Sequence, residues 1–70
     1  MISYNPLWKA LIDRNIKRSK MAEDLRISPT IISRMGKNGN TSTETLEKIC
    51  RYLDCRIEDV VEYVPDREIK

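Results

Sequence analysis

The strongest constraint on this chain is its apolar spacing. Hydrophobic residues recur at helical intervals in short runs separated by polar breaks. Leu46, Ile49, Cys50 and Leu53 stand at i, i+3, i+4 and i+7, the clearest of these stripes, and Ser42 is placed to cap their helix. Leu7, Trp8, Leu11 and Ile12 form another stripe. Asn5 serves there as cap and Pro6 as first helical residue, and the helix is expected to run to about Arg14, with Asn15 a left-handed stop. Met21, Ala22 and Leu25 mark a second helix over roughly 18–26. Ser28-Pro29 repeats the cap-plus-proline start and opens a third helix through Met35, with Ile32 and Met35 inward and Gly36 ending it. Ile57, Val60, Val61 and Val64 continue similar spacing and predict a short fifth helix before Pro65, after which residues 66–70 are expected to fray.

The expected fold is therefore all-α, five short helices in one compact unit spanning residues 1–70. The ends carry a second reading. Ile2-Ser3-Tyr4 and Glu62-Tyr63-Val64 alternate like short strands and would pair as a small ribbon beside the bundle.

Seventy residues allow only a thin core, so the helices must pack efficiently. Cys50 and Cys55 are too few and too close for a disulfide framework, and with no histidine in the chain they do not complete a four-ligand zinc site. Cys50 reads as a small core residue and Cys55 as a linker or core residue. Lack of histidine also removes the commonest general base at neutral pH, and a chain this short has little room for a closed pocket. No enzyme activity, cofactor or small-molecule ligand is expected. No apolar run approaches the roughly 18 residues that span a bilayer, and the opening MISYNPLWK lacks a signal peptide's apolar stretch, so the expected location is the cytoplasm with no membrane partner.

Charge distribution says more than the net charge of +2. Residues 1–40 carry eight basic against three acidic side chains, a net of +5, whereas residues 41–70 carry five against eight, a net of −3. A basic half joined to an acidic half fits a protein that meets a polyanion through one face, although ordinary solvated charge is also compatible with these numbers.

The second helix, the tight connection Arg26-Ile27-Ser28 and the third helix have the size of a DNA-binding helix-turn-helix over about 18–36. Ala22 is small where two helices would cross, and Met21, Leu25, Ile27, Ile32 and Met35 supply apolar contacts around it. This leaves Thr30, Ser33, Arg34 and Lys37 outward on the third helix, with Ser28 and Pro29 at its tip. Hydroxyls, Arg and Lys on such a face reach base edges and phosphates. Trp8, on a helix stripe, reads as core rather than as a base-stacking platform.

The run KRSKMAEDLRISPTIISRMGKNGN, followed by STETLEKICRYLDCRIEDVVEYVPD, resembles the lambda-repressor-like (Cro/CI-type or XRE) helix-turn-helix regulators. More narrowly, it resembles a minimal bacterial group with little beyond the DNA-binding domain. The likeness covers nearly the whole chain, and its most specific block is LEKICRYLDC. It implies that Ala22 is the small residue of the first motif helix and that Ile27 and Ile32 occupy apolar core positions. It implies too that Ser28, Pro29, Thr30, Ser33 and Arg34 face bases and phosphates. Arg18 falls at a backbone-clamping place at the start of helix two, and Lys37, Asn38 and Asn40 lie in a loop that approaches phosphate. Two residues depart from the pattern. Arg26 stands where relatives usually carry glycine, often at positive φ, a conformation costing a non-glycine residue about 1 kcal/mol. Pro29 stands where relatives often carry a polar base reader, which shifts direct readout to Thr30, Ser33 and Arg34.

The resemblance implies a sequence-specific regulator that inserts helix 29–35 into the major groove of double-stranded DNA, acting as a homodimer on two half-sites. The alternative is a helical protein-interaction adaptor that keeps the fold without DNA binding and engages a basic partner through Glu44, Glu47, Asp54, Glu58, Asp59 and Glu62.

Overall fold

The computed structural model describes residues 1–65, and the expectation for residues 66–70 lies outside them. A strand β1 (Ile2–Ser3) leads directly into helix α1 (Asn5–Asp13), followed by α2 (Arg18–Leu25), α3 (Pro29–Gly36) and α4 (Thr43–Leu53). One 3₁₀ turn (Ile57–Asp59) and a second strand β2 (Glu62–Tyr63) complete the described chain. Among these residues no helix is long and apolar enough to cross a membrane.

Helix starts follow local chemistry. Ser28 Oγ accepts the Ile31 N–H at 3.3 Å and Ser42 Oγ accepts the Thr45 N–H at 3.1 Å, so both serines cap as expected. Asn5 does not cap α1. It is the helix's first residue, the cap position falls on Tyr4 without a side-chain bond, and the buried Ser3 hydroxyl accepts the Asn5 N–H at 3.2 Å. Because β1 runs straight into the helix, Ser3 already satisfies the donor there.

Helix ends share one device. Asn15, Arg26, Asn38 and Asp54 all take left-handed backbone, with φ of 57°, 57°, 59° and 51°. In each case the following residue's N–H bonds back five positions: Ile16 to Leu11, Ile27 to Ala22, Gly39 to Arg34 and Cys55 to Cys50, at 2.8–3.0 Å. This is the Schellman closure, built four times without glycine at the left-handed position. Asn and Asp tolerate that conformation; Arg26 has no such help and carries a strain of about 1 kcal/mol. The third helix is thus closed by Asn38 rather than by Gly36, which remains helical.

The five-helix expectation is corrected to four α-helices among the described residues. The fifth segment makes one 3₁₀ turn, where the Asp59 carboxylate accepts the Arg56 N–H at 3.1 Å. It then extends, and β2 pairs antiparallel with β1, Ile2 opposite Tyr63 and Ser3 opposite Glu62. Val60, Val61 and Val64 fit a helical period but are β-branched, and branched side chains favour extended backbone. Val60 is fully buried from the turn, while Ile57 points to solvent.

Leu7, Leu11, Met21, Met35, Ile49 and Val60 are the fully buried apolar centre, each worth about 1.5–3 kcal/mol of transfer free energy. Ala10, Ala22, Ile27 and Leu53 close around it. Ile12, expected on the first apolar stripe, is 76% exposed, because the buried side of α1 is centred on Leu7, Ala10 and Leu11. Cys50 and Cys55 are half-buried free thiols, and burial pushes the Cys55 thiol up from its ordinary pKa.

Candidate nucleic-acid interface

Because Met35 is fully buried and Ile31 and Ile32 are half-buried, α3 is anchored by one side only. The 3.6-residue period then fixes what the other side presents. Pro29, Thr30, Ser33, Arg34 and Lys37 are all exposed and together line one shallow depression of about 510 Å³. Five of the nine residues singled out in the sequence are thereby brought onto one face.

Ser28 is exposed at the tip of α3 with its hydroxyl already accepting the Ile31 N–H. Arg18 opens α2 on the far side of a neighbouring groove that also includes Pro29 and Ser33. Its guanidinium lies 3.7 Å above the Trp8 ring centroid, a cation–π contact that restrains a long side chain without neutralising it. Trp8 itself is half-buried and packs on the core, as expected, while its ring face serves as a shelf for Arg18. Asn38 is only half-exposed: it is left-handed and its Oδ1 accepts the Tyr4 N–H at 3.4 Å. Asn40 is exposed in the loop beyond.

Sequence reasoning missed the residues that hold Arg34. Gly39 packs so closely that a Cβ there would meet Arg34 Cγ at 2.4 Å and the Arg34 carbonyl at 3.0 Å, and the Gly39 N–H donates to that carbonyl at 2.8 Å. The aliphatic stem of Arg34 therefore lies on glycine backbone. That backbone is in turn pinned by the buried Tyr4, whose hydroxyl donates to the Gly39 carbonyl at 2.8 Å. Burial holds the Tyr4 phenol above its ordinary pKa, so it stays a donor through neutral pH. A tyrosine following a two-residue strand and a glycine after Asn38 were the available signals, but their pairing spans 35 positions.

The electrostatics are one-sided. Neither α2 nor α3 has an acidic residue in its first turn, and Lys17, Arg18 and Lys20 crowd the start of α2. A helix N-terminus is already partially positive, so this arrangement favours an anion. Lys20 is satisfied by Asp24 at 3.1 Å. Among the described residues Lys17, Arg18, Arg26, Arg34 and Lys37 have no carboxylate partner. Nor does any group of three or more His, Cys, Asp or Glu side chains come together to hold a metal among them.

Comparison with known proteins agrees with this arrangement. A search of curated proteins finds no match. The crystal structure of the transcriptional regulator VanUg is similar to this chain, with a TM-score of 0.88 and 42% identity over 91% of this chain and 85% of the other. The family model for the Cro/C1-type helix-turn-helix DNA-binding domain matches residues 6–66. With most of its length matched by that model and its α2–α3 pair carrying a bare cationic face, the chain belongs to the Cro/C1-type helix-turn-helix DNA-binding domains.

Proposed function

We propose that residues 1–70 act as one unit, a sequence-specific transcriptional regulator that inserts α3 into the major groove of an operator. The observation that carries this reading is the exposed side of α3, where Thr30, Ser33, Arg34 and Lys37 lie together with no acidic partner among the described residues. Arg34, steadied on Gly39, is the reader of a guanine edge or an adjacent phosphate; Thr30 and Ser33 supply short hydroxyl contacts. Arg18, Lys37 and the exposed Ser28 set the register on phosphates, with Asn38 and Asn40 in the loop that follows. One such module covers a small area of duplex, so useful affinity calls for a homodimer on half-sites about one helical turn apart. The similarity to the transcriptional regulator VanUg supports the regulatory role.

The adaptor alternative draws on the acidic second half of the chain. There Glu44, Glu47 and Glu58 already face Lys48, Arg51 and Arg56 at 3.9, 2.6 and 3.9 Å, which weakens it. Selection from random duplex DNA tests the proposal: a two-fold-related site is expected, bound with an affinity that falls steeply as salt rises. Charge reversal of Arg34 and Lys37 should abolish that binding. A flat salt response, or indifference to the reversal, would contradict it.

A further inference from the structure

We infer that Pro29 reads thymine, by packing its ring against the 5-methyl group in the major groove; the inference rests on the DNA-binding reading above. A groove of about 540 Å³ runs between α2 and α3 on the face that carries the cations. Buried Ala22 and Ile27 belong to its floor, half-buried Ile32 to its wall, and exposed Pro29 to its lip. The rim is cationic on balance, with Arg18 and Arg26 against Glu23. Pro29 and Ser33 also border the depression that holds Thr30 and Arg34, so the apolar groove and the polar reading face are continuous.

An apolar strip bordered by cations suits a partner that is polyanionic yet projects a small apolar group between its charges. Duplex DNA does this in the major groove at one base alone, through the thymine C5-methyl. Pro29 has no N–H and no polar side chain, so hydrocarbon contact is what it offers a base edge. As the first residue of α3, after the Ser28 cap, it sits at the leading tip of the helix. Its place in a motif that usually reads bases by hydrogen bonds then becomes a choice of thymine rather than a lost contact.

The experiment uses the full chain and the duplex recovered by site selection. Each thymine is replaced in turn by deoxyuridine, which deletes the methyl and leaves the hydrogen-bonding edge intact. At one or two positions per half-site affinity should fall about three- to fivefold, the value of one buried methyl group. Pro29→Ala should bind the thymine duplex more weakly and lose the distinction between thymine and uracil. Lys37→Ala should weaken both duplexes equally and keep it. Salt-sensitive binding that is indifferent to every uracil, or a Pro29→Ala variant that still discriminates, overturns the inference and leaves the DNA-binding reading standing. Failure to recover any bound duplex overturns both.

Discussion

Helix α4 and the α2–α3 pair are built from similar side chains yet treat charge in opposite ways. Helix α4 places Glu44 in its first turn and Arg51 in its last, matching the macrodipole, and ties Glu44 to Lys48 and Glu47 to Arg51 at i, i+4 spacing. Helices α2 and α3 start without acidic residues, and the one ion pair they carry among the described residues, Lys20–Asp24 within α2, lies where Tyr52 of α4 donates to Asp24 at 2.5 Å. The other cations of these two helices, Arg18 and Arg34, have no carboxylate partner among the described residues. A helix whose charges are settled internally has no electrostatic need of a partner; one whose charges are not is where an anion gains most.

Substitutions can break that contrast. On α3 itself, Met35→Ala removes a fully buried side chain and should cost about 2–5 kcal/mol in chemical denaturation. One residue earlier, Arg34→Ala should leave stability within about 0.5 kcal/mol while costing about 1–3 kcal/mol of affinity for the selected duplex at fixed salt. The matching change on α4, Arg51→Ala, should leave duplex affinity unmoved. Equal effects of the two arginines on binding would erase the distinction between the helices.

Arg26→Gly sharpens it further. Relief of left-handed strain, less the added freedom of glycine in the unfolded chain, should raise stability by about 0.5 kcal/mol in thermal melts. A fall instead would mean that the Arg26 side chain holds the turn together.

The smallest effect concerns the joint between the two regions. The Tyr52 hydroxyl and then Lys20 hold the Asp24 carboxyl below its ordinary value of 3.8. That contribution to stability is complete above the ordinary value and fades as pH falls through the lower folded one. Tyr52→Phe should therefore shift the acid end of the stability profile toward higher pH; an unchanged profile would show that the bond to Asp24 carries none of it.

Residues with local signals were legible in advance. Ser28 and Ser42 announced α3 and α4 because a hydroxyl before a helix satisfies its first donors whatever surrounds it. The outward side of α3 followed from the period of Ile32 and Met35. What the sequence hid depends on distant partners. Alternation in Ile2-Ser3-Tyr4 and Glu62-Tyr63-Val64 offered a ribbon beside the helical reading, and only the pairing of Ile2 with Tyr63 decides between them at the C-terminal end. Ile12 lies on a plausible stripe but beyond the reach of its neighbours. Asn38 and Asp54 closed helices for a reason visible only once the bonds of Gly39 and Cys55 are seen. Tyr4 supports the site through Gly39, with three helices between them in the chain.

DNA that meets the bare side of α3, and not the paired side of α4, leaves a distinct footprint on the chain. Backbone amide NMR of the full chain, titrated with the selected duplex, reads this residue by residue. Large shifts are expected at Lys17, Arg18, Ser28 and residues 30–37, with Glu44, Glu47, Lys48 and Arg51 nearly unmoved. Shifts concentrated on α4, with Thr30, Ser33 and Arg34 silent, would contradict it.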